Sequence, residues 1–362
     1  MALYIIRRHD DHWCCRANMS IKVEQVDASA MAAEWDAFVQ LQLGWTHFHL
    51  CAWQSVVRTV WKHETLYLTA RNDYGALCGV LPLVRVRSRL FGDFVCSMPF
   101  VSYGGPLGST EAVRALAQWA VEYSDTQRVD LLELRSYVQL PLDMPVSHRK
   151  VTVVLDLPGS GSEALMKSFD AKVRSQVRRP FKEGMEVRFG PDQVEPFFAV
   201  FSEHMRDLGT PTQPLSLFRT LAETFPDSAL FACAWINGEP VAAGCGFRWG
   251  SEFEITWASS LRSHSRLSPN MGLYFAFMER MQQEGVVLFN FGRCTPDSGT
   301  HRFKRQWGSR DVPLWWYNRA RSAVRKTPSP DDSRYSMGPR VWRKLPVPVA
   351  TRLGPMIVRF IP

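Results

Sequence analysis

The sequence lacks the patterns typical of metal-binding, disulfide-rich and membrane-spanning proteins. Its eight cysteines include no CxxC pair, and no histidine-rich spacing accompanies them, so neither a zinc site nor a disulfide framework is predicted. No apolar run reaches the roughly 18 residues that a transmembrane helix needs. There is no GxSxG motif and no Ser/His/Asp arrangement, which disfavours a covalent intermediate on the protein. We therefore expect a cytoplasmic chain in a reducing compartment.

The net charge of +8 does not belong to the body of the protein. Residues 318–362 contain ten Lys and Arg against two Asp, so the first 317 residues are neutral. Basicity confined to a tail says little about nucleic-acid binding by the remainder. Within the tail, residues 340–362 mix cations with large apolar side chains, and Pro346, Pro348 and Pro355 are expected to prevent a long regular helix.

Three interpretations of this tail are open. Its composition fits peripheral attachment to the inner face of the cytoplasmic membrane through residues 340–362. It fits equally a segment packed across the body of the protein. Binding of tRNA is the third alternative, and it predicts an RNA affinity that depends strongly on salt.

The order of predicted elements repeats along the chain. The turn Asn72–Gly75 matches the turn at Asn237 and Gly238, and the strand end at Arg135 matches that at Arg293. We therefore predict two copies of one α/β (α+β) domain. The hairpin turns predict a mixed, mostly antiparallel sheet flanked by helices in each copy.

This repeat gives a division of the chain into five parts. Residues 1–19 have an apolar segment too short for a signal peptide and are expected to form an N-terminal extension. Residues 20–155 form the first predicted domain, 156–190 a basic connecting segment, 191–317 the second domain and 318–362 the tail. The second domain is the candidate catalytic unit.

The connecting segment is basic on several faces. Arg174 and Arg178 lie at a helical spacing, with Lys172 and Gln176 beside them. Pro180 is expected to bend or end this helix, because it has no N–H to donate. The segment is either a solvated linker helix or a phosphate-binding face next to the second domain.

Residues 289–308 contain the pattern that is most informative about function. A short buried strand ends at Gly292 and delivers Arg293 into a polar loop, which contains Gly299 and Thr300 and is followed by Lys304. A guanidinium and backbone N–H groups that converge in such a loop suit an anion site. A surface loop with solvated charges is the alternative.

At this point the motifs become specific to a family. Residues 172–184 (K-x-R-S-Q-V-R-R-x-x-K-x-G), 208–211 (LGTP) and 291–308 (F-G-R-x-T-P-x-S-G-T-x-x-F-K-x-Q-W-G) resemble the FemAB-like proteins associated with the exosortase/PEP-CTERM system. That group belongs to the GNAT-like acyltransferase superfamily. The resemblance covers about residues 20–317 and includes GVLPL at 79–83 and SYGGPL at 102–107.

The resemblance implies tandem GNAT-like domains and transfer of an acyl or aminoacyl group to an amine. It also implies a lipid- or nucleotide-linked sugar or peptide precursor, in exopolysaccharide or cell-envelope biosynthesis. Three positions depart from the family's usual pattern: Asn290 replaces an acidic residue, Cys294 a serine and His301 a tyrosine. Without a carboxylate at residue 290, this strand end has no evident base.

No permanently bound cofactor is implied, and the acyl donor stays open. Acetyl-CoA-dependent GNAT enzymes hold the pyrophosphate on a Q/R-x-x-G-x-G/A turn, whereas residues 265–272 here have one glycine and no such spacing. A helix N-terminus at Asn270 can still bind a phosphate weakly. Acyl-CoA and aminoacyl-tRNA are therefore both retained as anionic donors.

Acyl transfer to an amine needs a proton acceptor and groups that bind the donor. Glu254 lies opposite Phe253, Ile255 and Trp257 in an alternating strand, so it faces either a cleft or solvent. His301 is a candidate because histidine side chains in general exchange protons near neutral pH, but it is equally explained as an incidental loop residue. These two are the catalytic candidates. The predicted substrate- and phosphate-binding residues are Lys172, Arg174, Gln176, Arg178, Asn270, Arg293, Gly299, Thr300, Lys304 and Trp307.

Trp307 has two readings, as a packing residue that shapes the loop or as a stacking platform. The predicted function is acyl or aminoacyl transfer at the second domain. The alternative is a non-catalytic binding or scaffold protein that keeps the fold, which Asn290 and the missing CoA turn favour.

Overall fold

The computed structural model describes residues 20–159, 161–321 and 337–361. The predicted extension 1–19 and the part of the tail at 322–336 lie outside the described residues. The strands and helices follow one another in this order: β1 Ile21–Val26, α1 Ala32–Gln40, α2 Trp53–Val56, β2 Glu64–Asn72, β3 Leu77–Ser88, β4 Gly92–Ser97, β5 Leu107–Gly108, α3 Thr110–Thr126, β6 Leu131–Ser136, β7 Val146–Ser147, β8 Val151–Asp156, α4 Ser162–Ser168, α5 Ala171–Lys182, β9 Glu186–Phe189, α6 Val194–Leu208, α7 Leu215–Thr224, β10 Ala229–Ile236, β11 Glu239–Trp249, β12 Glu252–Ser260, α8 Pro269–Gln283, β13 Leu288–Cys294, α9 Gly299–Arg305, β14 Arg310–Pro313, β15 Trp315–Ala320, α10 Met337–Trp342 and α11 Val347–Val358.

Two sheets of the same design organise these elements. The first has the order β1-β2-β3-β4-β6-β15-β7, with β5 paired to β3, and the second has the order β9-β10-β11-β12-β13-β8-β14. In each sheet one central pair is parallel, β4 with β6 and β12 with β13, and the other neighbours are antiparallel. The predicted tandem of mixed, mostly antiparallel sheets is confirmed.

The two sheets exchange strands across the predicted domain boundaries. Strand β8 precedes the second domain in sequence and pairs with β13 in the second sheet. Strand β15 follows the second sheet in sequence and pairs with β6 in the first. The predicted division after residue 155 therefore falls inside β8, and the one after residue 317 falls inside β15. Antiparallel pairing with a distant strand leaves no local signal, because its register depends on tertiary contacts.

The domains share one apolar core in addition to the cores of their own. That shared cluster joins Phe48 and Trp53 of the first half to Phe197 and Phe247 of the second. Separate clusters lie beneath α3 in the first domain and beneath α8 in the second. Burial of aromatic rings across the interface holds the two domains together.

The C-terminal helices pack on the body, as one interpretation of the tail predicted. Helix α11 contacts α6, and a Cβ atom on Gly354 would lie 2.7 Å from the Thr212 nitrogen, so the helix approaches closely. No single long helix spans this segment, as expected, but the prolines do allow the 12-residue helix α11. Pro346 is the N-cap and Pro348 lies in the first turn, where a missing N–H has no cost, and only Pro355 is interior. Within the described ranges no helix has the length and apolar character to cross a membrane.

Candidate active site

The parallel strands β12 and β13 separate at one point in the second domain. Their pairing covers Glu252 to Glu254 on β12 and Leu288 to Asn290 on β13. Strand β13 then bulges against β8 between Asn290 and Arg293, with Gly292 at a φ of 72°. A bulge on the other side of β12, at Thr256, adds a second local bend. The two strand ends therefore present their side chains to the space between the domains.

Glu254 lies near Tyr103 of the first domain and is 1% exposed. The reading in which it points to solvent is wrong. Phe253 and Ile255 lie in the core of the second domain, as predicted, but Trp257 packs instead on the shared core beside Phe218. The extra residue at the bulge inverts the alternation of the strand, so the pattern before the bulge does not extend beyond it.

Asn290 is the hub of a closed hydrogen-bond network. Its Nδ2 donates to Glu252 Oε1 at 2.8 Å and to the Tyr103 hydroxyl at 3.2 Å. Its Oδ1 accepts from the Thr152 hydroxyl at 2.6 Å and from the Gly292 N–H at 2.8 Å. The Tyr103 hydroxyl in turn donates to Thr152 Oγ1 at 2.9 Å. All four hydrogen-bonding positions of the amide are thus used, and a carboxylate at residue 290 has no N–H to offer Glu252.

Glu254 has one carboxyl oxygen without a partner. Oε1 accepts weakly from the Thr256 hydroxyl at 3.4 Å, and Oε2 is buried with no hydrogen bond from any described residue. Burial raises the pKa of Glu254 to about 7, although the nearby Tyr103 hydroxyl and, after it, the cations Lys304 and Arg293 act in the opposite direction. Such a carboxyl group can accept a proton near neutrality.

Glu252 lies two residues earlier on the same face of β12. Burial, reinforced by the charge of Glu254, also raises the pKa of Glu252 to about 7, whereas its hydrogen bond from Asn290 opposes that rise. Tyr137 of the first domain donates to Glu252 Oε1 at 3.4 Å. Glu252 is thus held by two donors, while Glu254 keeps a free oxygen.

Two cations flank the bulge of β13. Lys304 of α9 is buried, and its Nζ donates to the carbonyl oxygens of Gly292 and Arg293 at 2.7 and 2.9 Å. Burial lowers the pKa of Lys304 to about 8. The lysine therefore ties α9 to the bulge and adds positive charge close to Glu254.

Arg293 is partly buried and only loosely bonded. Its Nη1 donates to the Val101 carbonyl at 3.4 Å, and the guanidinium lies 5.4 Å from the centre of the Trp316 ring. Burial, with the neighbouring charge of Arg135, lowers the pKa of Arg293 to about 10. Among the described residues no carboxylate forms an ion pair with Arg293. Its remaining donors suit an anionic group of a bound molecule.

The other residues predicted near this strand lie at the ends of α9. His301 accepts at Nδ1 from the Asp297 N–H, 3.0 Å away, so its Nε2–H faces Asp311, also 3.0 Å away. Gly299 and Thr300 are exposed in the first turn of the helix. Trp307 is buried against Phe169, with ring centres 5.1 Å apart, which is the packing arrangement. The catalytic part assigned to His301 stays a prediction.

The predicted basic residues of the connecting segment form a separate outer group on α5. Lys172 and Arg178 are exposed, Arg174 donates to the Phe169 carbonyl, and Gln176 is partly buried with an unpartnered Oε1. Asn270 lies in the first turn of α8, against which α5 packs. Pro180 lies inside α5, which ends two residues later at Lys182. No described hydrogen bond joins this group to Glu254 or Arg293.

Sequence reasoning missed most of the groups around Glu254. Glu252 carried a signal, because it lies two residues from Glu254 in a strand that alternates. Tyr103, Tyr137 and Thr152 carried none, since they arrive from the first half and from the exchanged strand β8. The described residues contain no cluster of three or more His, Cys, Asp or Glu side chains suited to a metal ion. A cleft of about 780 Å³ lies elsewhere, between α3 and residues 139–145.

Comparison with known proteins shows what the domains of this chain are similar to. Residues 167–305 match the model of an acetyltransferase (GNAT) domain. The UDP-N-acetylmuramoylpentapeptide-lysine N(6)-alanyltransferase of Weissella viridescens is 23% identical over 243 residues, which are 59% of this chain and 70% of that protein.

Solved structures share the fold over most of the chain. FemX superposes with a TM-score of 0.61 at 14% identity, covering 82% of this chain and 97% of that one. The C-terminal domain of a putative lysylphosphatidylglycerol synthetase from Agrobacterium fabrum gives 0.54 at 12% identity, covering 83% and 93%. A tandem GNAT protein from the clavulanic acid biosynthesis pathway gives 0.50 at 12% identity, covering 84% and 100%. These likenesses establish the tandem GNAT fold.

Proposed function

We propose that this chain, which has a tandem GNAT fold and whose residues 167–305 match an acetyltransferase (GNAT) domain, is an acyltransferase in which Glu254 is the general base of acyl transfer to an amine. The observation that carries the proposal is the free Oε2 of Glu254, buried where β12 and β13 separate. A carboxyl group whose pKa is about 7 accepts a proton at neutral pH and returns it readily.

The transfer needs no covalent intermediate on the protein. The neutral amine attacks the carbonyl carbon of the activated acyl group, a C–N bond forms, and the C–S or C–O bond to the carrier breaks. Glu254 takes the proton that the amine loses, and the carrier leaves as thiolate or alkoxide, to which that proton can return. Lys304 places positive charge close to Glu254, which offsets part of the cost of the buried carboxylate.

The donor is an activated acyl group on a phosphate-bearing carrier. Acyl-CoA and aminoacyl-tRNA share that chemistry, and the incompletely bonded guanidinium of Arg293 fits an anionic portion of either. In this proposal the exposed cations of α5, Lys172 and Arg178, bind a second anionic part of the donor, and Asn270 lies on the neighbouring helix α8. Pro269 removes one N–H from the first turn of α8, so that helix end offers a phosphate fewer donors than an ordinary one.

The acceptor in this proposal is an amine on a lipid- or nucleotide-linked envelope precursor. The name of the Weissella relative supports a peptide that carries a lysine side chain. An amino sugar of an exopolysaccharide, in the exosortase/PEP-CTERM setting that the sequence resembles, is the other acceptor with the same reacting group. Both present a primary amine to one base.

The experiment offers the full chain labelled acetyl-CoA and, in parallel, labelled alanyl-tRNA. Each donor is combined with a UDP-linked muropeptide that bears a lysine and with a UDP-linked amino sugar. We expect label to move to one acceptor from one donor, and Glu254→Gln to lower kcat by about 10²- to 10⁴-fold. Glu186→Gln, at an exposed carboxylate of the same domain, is the matched control and should leave kcat unchanged.

Two results would contradict the proposal. If the wild-type chain binds a precursor but transfers nothing from either donor, the non-catalytic scaffold is the better account. If transfer occurs and Glu254→Gln keeps the wild-type kcat, the base lies elsewhere.

A further inference from the structure

Helix α11 has an outer face that is both apolar and basic. Val349, Leu353 and Met356 lie within one narrow arc of the helix and are 42%, 41% and 65% exposed. Arg352 lies in the same arc and is exposed. The opposite side carries Ala350 and Gly354, which are buried against the body. A soluble helix normally shows polar residues on its outer face, so this pattern is inverted.

The same surface continues onto α10 and the end of α6. Val341 of α10 is 60% exposed, and Leu208 at the end of α6 is 43% exposed. Arg343 Nη2 donates to the Leu208 carbonyl at 3.2 Å, which places the two elements side by side. We call Leu208, Val341, Val349, Leu353 and Met356, with the cations around them, the tail surface.

The charge of the tail surface has one sign. Residues 337–361 contain five cations and no Asp or Glu. Arg340, Arg343, Lys344 and Arg352 are all exposed, and none forms an ion pair with a described carboxylate. Asp207 at the end of α6 lies between Arg206 and Arg262, so its charge is already matched. The tail surface is therefore complementary to an anionic partner.

The helix is held firmly enough to keep that face outward. Arg359 Nη2 donates to the Trp61 carbonyl at 2.6 Å, and the His63 imidazole bonds the Arg359 carbonyl at 2.6 Å. Trp61 stacks on Phe100 at 4.4 Å, next to the Val101 carbonyl that Arg135 and Arg293 share. The anchored end of α11 thus contacts the segment that reaches the candidate active site.

We infer that the tail surface docks flat on an anionic phospholipid bilayer. The apolar side chains enter the boundary between headgroups and acyl chains, while the surrounding cations contact phosphate groups of the lipid. A nucleic acid would use the cations but leave the apolar stripe in water, so the observations favour a lipid surface. This inference does not depend on the identity of the base, donor or acceptor.

Vesicle flotation of the full chain tests the inference. We expect binding to vesicles of phosphatidylcholine with phosphatidylglycerol, and much weaker binding to phosphatidylcholine alone. Exchange of Arg340, Arg343, Lys344 and Arg352 for Gln should lower the partition coefficient by about 600-fold, since each cation contributes about fivefold. Leu353→Ser with Met356→Ser should lower it by about tenfold.

Matched controls use exposed residues of the first and second domains that lie outside the tail surface. Exchange of Lys22, Arg87, Arg89 and Arg188 for Gln removes the same charge, and Leu41→Ser with Leu43→Ser removes two side chains that are 84% and 89% exposed. Both controls should bind like wild type. All these variants should keep the transfer rate on a water-soluble acceptor, which separates failure of this inference from failure of the proposed function.

Three outcomes would overturn the inference. The first is equal wild-type binding to neutral and anionic vesicles, or no binding to either. The second is a tail-surface variant that partitions like its control. The third is binding to tRNA, but not to vesicles, that the four-cation exchange abolishes. Circular dichroism of each variant verifies the fold.

Discussion

The two domains end their parallel strand pair with the same positions and different chemistry. In the first domain the last pair joins Cys96 to Glu133, and Arg135 follows two residues later. In the second domain the last pair joins Glu254 to Asn290, and Arg293 follows after the bulge at Gly292. Both guanidinium groups lie over Trp316, at 4.4 and 5.4 Å, and both donate to the Val101 carbonyl.

The difference between these regions is that the charged groups of the first domain are paired with each other, whereas those of the second are not. In the first domain the acid and the arginine satisfy each other, with Arg135 Nε 2.7 Å from Glu133 Oε1 and both side chains buried. In the second domain the acid lies on the neighbouring strand, and an amide takes its place beside the arginine. Glu254 and Arg293 are therefore left without full partners, as a site that binds a substrate requires.

The largest effect that tests this comparison is the loss of stability expected when Glu133 is exchanged. Glu133→Gln should destabilise the protein by about 3 to 5 kcal/mol, because Arg135 is left as an uncompensated buried charge. Chemical denaturation measures this loss, and kcat of the folded fraction should stay near wild type. Glu195→Gln breaks the exposed pair with Arg219 and should cost below about 1 kcal/mol. Equal effects of the two exchanges would contradict the structural role.

Exchange of Glu254 should raise the stability of the protein near neutral pH, whereas exchange of Glu133 lowers it. Its pKa is about 7 in the folded protein against an ordinary value of 4.5, so the folded state binds the extra proton between those values. Wild-type stability should therefore fall as pH rises from 4.5 to about 7 and then level off. Relative to wild type, Glu254→Gln should gain about 3 kcal/mol over that interval. Denaturant midpoints measured across pH check this, and a constant difference between the two proteins would contradict it.

Asn290→Asp introduces an acid at the position where the FemAB-like proteins that this sequence resembles usually have one. The new carboxylate would face Glu252 without a proton to donate, so we expect a loss of about 1 to 3 kcal/mol at pH 8. Protonation of the pair relieves the repulsion, and the loss should shrink as pH falls. Thermal denaturation at high and low pH tests this. A variant as stable as wild type at both would show that the amide network is not required.

Exchange of Arg293 and of Arg135 should give the smallest effects, and it tests directly whether the two arginines have different roles. Arg293→Ala should raise KM for the acyl donor by about tenfold to a hundredfold through loss of charge-assisted hydrogen bonds, with little change in stability. Arg135→Ala should show the reverse, with lower stability and a normal KM for the folded fraction. Steady-state kinetics with denaturation curves for both variants reveal whether the roles divide in this way.

The sequence allowed the fold to be predicted better than the site. Turns at Gly75 and Gly238 and the matching strand ends revealed the tandem, because turn chemistry and alternation are local properties. The sequence did not predict the exchange of β8 and β15 between the sheets, since each pairs with strands that are far away in sequence. The hydrogen-bond network around Asn290 was not predicted for the same reason. The bulge at Thr256 reversed the alternation of the strand, so the predicted side of Trp257 was wrong. For Glu254 the sequence left two orientations of the side chain open, one toward a cleft and one toward solvent.

The most direct test of the account is the pH dependence of kcat/KM for wild type and Glu254→Gln with the donor that supports transfer. We predict a wild-type rate that falls below an apparent pKa of about 7. The variant should show no such inflection and a rate lower by about 10²- to 10⁴-fold. A variant that keeps both the rate and the inflection would show that Glu254 is not the base.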